Sequence, residues 1–194
     1  HHAVVYPAQR HQPAVPAGVD LLLLVKPTLR FSENEKLKID QFVMRGGKLL
    51  CFIDNLVAEM DSFGRKPSIV AFDRDLNLSD LFFRYGARIN PDLVMDLRCE
   101  VSFIQVGGTT EQPQNEFLPW NYYPLVGAPA ADKKLKTAGY VGLRFANSID
   151  TVDAPGVIKT PLLASSERAR IISTPALISL NENSTLPEHK LFNR

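Results

Sequence analysis

The sequence predicts an α/β fold, in which an open, mostly parallel sheet is flanked by helices and a second half rich in strands and loops follows. The prediction starts from three consecutive segments. An apolar segment runs from Leu21 to Val25, an amphipathic helical segment comes next, and a second apolar segment runs from Lys48 to Ile53. Strand, helix and strand in this order form a βαβ unit, the repeating element of parallel sheets.

Each part of this unit has a local cause. Leu21 to Val25 is apolar at every position, which is typical of a strand covered by helices on both faces. Ser32 is followed three residues later by Glu35, which indicates a capping box at the start of a helix. Gly46 and Gly47 provide the turn that ends the helix. The cations Arg45 and Lys48 lie near the C-terminus of the helix, where they suit its dipole. The apolar positions of the helix are Leu37, Ile39, Phe42 and Val43.

The carboxyl ends of the two strands predict a candidate ligand site. Parallel strands joined by a helix place Lys26 and Asp54 at the same edge, where open α/β sheets bind ligands. Asp54, Asn55, Glu59 and Asp61 follow the second strand and could chelate a hard cation or hold a polar ligand. The alternative interpretation is a helix cap with acidic residues in its first turn.

The rest of the chain is predicted to complete the same domain. A surface excursion is expected over residues 62–75, a short helix over 76–85 with Gly86 as its stop, and a strand at 88–90. Further strands are expected within 91–104 and at 141–145, 149–152, 158–164 and 170–173. Nine of the 14 prolines lie from Pro91 onward, which disfavours long helices there. Residues 1–106 thus form the α/β core and 107–194 the loop- and strand-rich remainder, with a truncated C-terminal tail.

Composition excludes several classes of partner. The 194 residues carry 22 basic and 21 acidic side chains, a net charge of +1, so no electrostatic footprint for nucleic acid or an anionic membrane is present. The longest apolar run, which ends at Val25, is far shorter than the roughly 20 residues that span a bilayer. We therefore expect the chain by itself to be soluble, and we interpret His1-His2 as a tag remnant.

An aromatic segment provides a second candidate site. Trp120, Tyr122 and Tyr123 lie within six residues that begin and end with proline. Aromatic side chains with a polar tip suit recognition of a sugar, peptide or protein, but they equally cover a small core beneath a loop. Both interpretations stay open at this point.

No catalytic, metal or cofactor site is predicted. Cys51 lies inside a strand and Cys99 follows an apolar segment; neither belongs to a Cys-x-x-Cys pair or a nucleophile elbow, so free buried thiols are expected, with a disulfide as the alternative. Gly107-Gly108 lacks a phosphate-binding pattern. No spacing of His and Cys predicts zinc.

Several long segments resemble one family. They are KPTLRFSENEKLKIDQFVMRGGKLLCFIDNLVAEMDS, LNLSDLFFRYGARINPDLVMDLRC, QPQNEFLPWNYYPLV, SIDTV and KTPLLASS. In order and content they are similar to the GldG family, gliding-motility-associated ABC transporter auxiliary proteins that are sometimes labelled substrate-binding proteins. The resemblance covers about residues 19–166. It implies a periplasmic, extracytoplasmic region anchored to the inner membrane by transmembrane helices, with an ABC permease and an ATPase as partners.

The same region resembles the GIFT domain of intraflagellar transport proteins and, more distantly, the flavodoxin-like sheet of class I glutamine amidotransferases. Those enzymes use a cysteine on a strained turn and a histidine base. Here Cys51 lies within a strand, while His11 and His189 lie in terminal segments. The expected function is a non-catalytic extracytoplasmic auxiliary domain that makes protein contacts and could capture a substrate. The alternatives are a small-ligand or glycan-binding domain and an amidotransferase-like hydrolase.

Overall fold

The computed structural model describes residues 3–6, 15–63, 68–108, 112–128 and 139–180. Its helices are α1 (Glu33–Met44), a 3₁₀ turn (Met60–Ser62) and α2 (Ser79–Arg84). Its strands are β1 (Ala3–Tyr6), β2 (Leu21–Val25), β3 (Lys48–Phe52), β4 (Leu56–Val57), β5 (Ser68–Asp73), β6 (Ala87–Ile89), β7 (Asp92–Asp96), β8 (Cys99–Gly108), β9 (Pro113–Gly127), β10 (Tyr140–Gly142), β11 (Ile149–Thr151), β12 (Ala169–Ser173) and β13 (Ala176–Ser179).

The predicted fold class is wrong for the chain as a whole. Of the described residues, 45% lie in strands and 14% in helices. Only the sheet β1-β2-β3 is parallel; the described sheets β10-β9-β8, β11-β6, β12-β7 and β13-β5-β4 are antiparallel. A parallel connection needs a long crossover, usually a helix, and beyond β3 the described chain contains only α2 and the 3₁₀ turn as helices. An open parallel sheet of the flavodoxin or amidotransferase type therefore does not form.

The chain divides into two compact units, each built from separate stretches of sequence. The first unit comprises residues 1–55, 74–89 and 149–157, and it contains the parallel sheet, both α-helices and the β11-β6 pair. The second comprises residues 56–73, 90–148 and 158–194 and contains the other sheets.

The predicted βαβ unit is confirmed in the first unit. Strands β2 and β3 pair in parallel, with Leu22 opposite Leu49. Ser32 and Glu35 form both bonds of the capping box: the Ser32 amide donates to Glu35 Oε2 over 2.7 Å, and the Glu35 amide donates to Ser32 Oγ over 3.4 Å. The helix ends at Met44, and Gly46, which follows the C-cap residue Arg45, has a φ of +90° in the left-handed region. The local signals of this segment thus determined its local structure.

Among the residues that the structure describes, helices cover the parallel sheet on one face only, which contradicts the prediction of two covered faces. Leu22 and Leu24 are fully buried in a cluster with Ile39 and Phe42 of α1, which Leu81 of α2 also joins. The intervening residues point to the opposite face. Val25, Leu50 and Phe52 on this face are between 43% and 58% exposed. Both described α-helices contribute to the same cluster, which explains why the second face lacks a helical cover.

A buried lysine links α1 to α2. Lys36 Nζ lies 2.8 Å from Glu33 Oε1 and 2.9 Å from Asp80 Oδ1, and its side chain is almost completely covered. The hydrogen bond to Glu33 raises the pKa of Lys36, and the bond from Lys36 lowers the pKa of Asp80. The bond to Asp80 connects the two helices, whereas Glu33 lies on the same helix as Lys36 and would still pair with it if Asp80 were removed.

In the second unit, several segments differ from the sequence predictions. Residues 68–73 form β5 between β4 and β13, whereas a surface excursion was expected. Residues 158–164 form no strand and pair only through the isolated bridge between Ala164 and Gly127. The strand β9 extends over 15 residues despite three prolines. Two of these prolines lie where the pairing with β8 is irregular. Cys99 pairs with Pro124 and Val101 pairs with Pro119, and the register shifts between the two pairs.

Strand β7 has a buried carboxylate at each end. Asp92 accepts hydrogen bonds from the amide and hydroxyl of Ser148, at 2.8 and 2.5 Å. Asp96 accepts from the amide of Ser166 at 2.7 Å, from its hydroxyl, and from the amide of Arg98 at 2.8 Å. Each aspartate therefore fastens a distant loop to β7 by the same two-point contact.

We predict that Asp96→Asn destabilises the protein by about 3 kcal/mol, because an amide cannot accept all these bonds and leaves buried donors unpaired. Chemical denaturation followed by circular dichroism measures the change. The control is Asp61→Asn, an exposed position where a change within about 0.5 kcal/mol is expected. Equal effects of the two substitutions would contradict the proposed role of Asp96.

Candidate functional site

The carboxyl edge of the parallel sheet is closed by an ion pair. Lys26 Nζ lies 3.3 Å from Asp54 Oδ2, which confirms that the two residues emerge at the same edge. The Asn55 carbonyl accepts a hydrogen bond from the Arg74 amide at 2.8 Å. Both partners of the ion pair are about half exposed, so it contributes little to stability. It does, however, neutralise the carboxylate that was predicted to hold a ligand.

The remaining predicted acidic residues belong to the second unit. Glu59 precedes the 3₁₀ turn but its side chain makes no capping bond, and Asp61 lies in the first turn. Both side chains are exposed. Asp54 and Asn55 belong to the first unit, whereas Glu59 and Asp61 belong to the second. The four predicted residues are therefore divided between two units. Among the described residues, no three His, Cys, Asp or Glu side chains converge on a possible metal position.

The predicted aromatic residues lie in the core of the second unit. Trp120, Tyr122 and Tyr123 are all buried. The Trp120 ring makes edge contacts with Tyr122 at 5.3 Å, Tyr123 at 5.0 Å and Phe63 at 5.6 Å, and its Nε1 donates to the Ser179 carbonyl at 3.2 Å. This placement supports the packing interpretation, since the rings are covered by protein.

Two polar groups in this core segment lack a hydrogen-bond partner. They are Nδ2 of Asn121 and the hydroxyl of Tyr123, both buried. Burial also raises the pKa of Tyr123, with the Arg144 guanidinium 5.1 Å above its ring opposing the shift. Sequence reasoning identified the segment but not these groups, because their isolation depends on the packing around β9.

Both cysteines are free and partly buried. Burial raises the pKa of Cys51 to about 12. Since the thiolate is the reactive form, Cys51 is a poor nucleophile near neutral pH. The Cys99 thiol points to Asn121 Oδ1 at 3.9 Å. Neither cysteine has a described histidine beside it, because all four histidines lie outside the described residues.

An exposed apolar surface lies on the hairpin formed by β8 and β9. Phe103 and Phe117 face each other in the register, and their ring centroids are 5.0 Å apart. They are 55% and 72% exposed, and the neighbouring Val101 is equally open. We call these three residues the hairpin patch. Sequence reasoning missed it, although apolar residues on both faces of β8 were a signal that one face needs another partner.

A cavity of about 440 Å³ opens at the other edge of the parallel sheet. Its walls are the loop 15–20, the second half of α1 and the turn 46–48. Gly47 is required here, since a Cβ would lie 2.4 Å from the Phe42 ring. The charged side chains around the cavity are Lys38, Arg45, Lys48 and Asp20.

Comparisons with known proteins identify one family. A family model described as an ABC-type uncharacterized transport system matches residues 5–192, almost the whole chain. No curated protein and no solved structure matches significantly. Within the described part of the chain, no helix is both long and apolar enough to cross a bilayer.

We predict that Cys51 reacts slowly with iodoacetamide at pH 8 in the folded protein. With a pKa near 12, its thiolate fraction is on the order of 10³-fold lower than in an unfolded chain. The labelling rate is measured by mass spectrometry in a Cys99→Ala protein; with denaturant it should level off near about pH 9, and without denaturant it should still be rising there. Fast labelling of the folded protein at pH 8 would contradict an inert thiol and reopen a nucleophilic role.

Proposed function

Because the chain belongs to a family of auxiliary proteins of ABC-type transport systems, we propose that it serves as a protein-contact domain of such a transporter. The family supports a non-catalytic auxiliary role. The proposal further includes a transporter of the gliding-motility type, an ABC permease and an ATPase as partner subunits, a position on the extracytoplasmic face of the inner membrane, and participation in substrate capture. These finer parts come from the resemblance to the GldG family.

The hairpin patch is the observation that carries the proposal. Two phenylalanines that contact each other remain mostly exposed, which is unfavourable for a surface that faces only water. Large aromatic side chains are also the residues that most often dominate binding energy in protein interfaces. A partner that covers Phe103 and Phe117 would remove both from water.

The charge of the hairpin indicates what kind of partner fits. The strands β8 and β9 contain two carboxylates, Glu100 and Glu116, and no lysine or arginine. Neither lies on the face of the hairpin patch, because Glu116 pairs with Ile104 on the opposite face and the Glu100 carboxylate lies against Gly142 of β10. The patch face of these two strands therefore carries no charge, and an apolar protein surface would complement it. We therefore assign the patch to another protein subunit, and the resemblance to the GldG family points to the permease as that subunit.

The inert thiol agrees with a non-catalytic role. Burial raises the pKa of Cys51 to about 12, so its thiol is protonated near neutral pH, and the residue lies inside β3 rather than on a turn between strand and helix. These observations support a contact function over the hydrolase alternative.

We predict that a photocrosslinking phenylalanine analogue at position 103 or 117 of the full-length protein reacts with the permease in native membranes. The matched control carries the analogue at Ile158, an apolar residue of the same unit that is 93% exposed. Mass spectrometry identifies the crosslinked chains. Crosslinks of equal yield from position 158, or none from 103 and 117, would overturn the assignment.

A double substitution provides an independent measurement. Phe103→Ser with Phe117→Ser should weaken co-purification with the permease by about 10- to 100-fold, since two aromatic anchors are lost. Its melting temperature should change only slightly, because both side chains are exposed. Ile158→Ser should leave co-purification unchanged.

A further inference from the structure

The cavity beside α1 combines an apolar wall with a cationic rim. Val15, Val19 and Phe42 contribute apolar surface, whereas Lys38, Arg45 and Lys48 contribute three positive charges against the single carboxylate of Asp20. Its volume of about 440 Å³ falls in the range of small-molecule sites. It is much larger than a bound inorganic ion requires.

Of the rim cations, Arg45 and Lys48 are available for a ligand. Within the described part of the chain, the side chains of Arg45 and Lys48 form no ion pair and no hydrogen bond. The backbone amides of Gly46 and Gly47 are already used, since they donate to the carbonyls of Val43 and Phe42 at 2.9 and 3.1 Å. Charge for a ligand must therefore come from side chains, and a guanidinium binds carboxylate and phosphate groups in two-point fashion.

We propose that this cavity binds a small organic anion, with its oxyanion head on Arg45 and Lys48 and its apolar body against Phe42. The local rise in positive charge gives the site its selectivity for anions. The head can be a phosphate ester or a carboxylate, because both present oxygens at the spacing of a guanidinium fork. The site lies at the amino edge of the strands, so it differs from the predicted carboxyl-edge site around Asp54.

Isothermal titration of the folded chain with glycerol 3-phosphate, citrate and uncharged glycerol tests the assignment. We expect one-to-one binding of at least one anion, weakening as salt is added, and no binding of glycerol. Binding of glycerol 3-phosphate alone identifies a phosphate head, and binding of citrate alone identifies a carboxylate head. Absence of any anion binding up to about 10 mM overturns the proposal.

Two variants separate a defined site from general charge attraction. Arg45→Gln with Lys48→Gln should weaken anion binding at least about tenfold, whereas Lys159→Gln with Arg168→Gln removes the same charge in the second unit and should leave it unchanged. Thermal melting without ligand verifies that both variants are folded. Equal losses in the two variants would overturn the proposal. The cavity and the hairpin patch share no residue, so either proposal can fail while the other stands.

Discussion

The second unit depends on two buried carboxylates. Asp92 and Asp96 stand at opposite ends of β7, and each receives the amide and the hydroxyl of one serine from a distant segment, Ser148 and Ser166. Burying a carboxylate costs free energy unless its oxygens accept hydrogen bonds. If a loop moved away, its serine donors would be lost and the buried carboxylate would destabilise the fold. This requirement fixes where the irregular segments lie beside a strand whose five residues are all buried.

The aromatic residues of β9 pack in the same core cluster as Leu93 and Met95 of β7. Trp120 contacts Tyr122, Tyr123 and Phe145, all within 5.8 Å between ring centroids. The same strand continues into the hairpin, where Phe117 no longer has a core to join. One continuous strand therefore supplies both the core of the unit and the surface that we assign to a partner. In the first unit, the face of the parallel sheet that carries Val25, Leu50 and Phe52 likewise leaves apolar side chains exposed.

Local signals predicted local elements well. The capping box of Ser32 and Glu35, the glycine stop at Gly46 and the parallel pairing of β2 with β3 all act over a few residues or one crossover, and all are present. Predictions that required long-range partners were less successful. Residues 68–73 form a strand that pairs with β4 on one side and, on the other, with β13 from more than a hundred residues away. Residues 158–164 make only the isolated bridge between Ala164 and Gly127 to a described strand, and Ile158 is exposed.

The candidate sites show the same difference between local signals and long-range contacts. By itself, the sequence determined the βαβ unit, the meeting of Lys26 and Asp54 at one edge, and the long ordered motifs that belong to a transporter auxiliary family. Only the tertiary structure decided that Trp120 is buried while Phe117 is exposed, and that Arg45 and Lys48 line a cavity. The physical reason is that secondary structure follows from neighbours in the chain, whereas burial and the grouping of charges follow from which distant segments fold against each other.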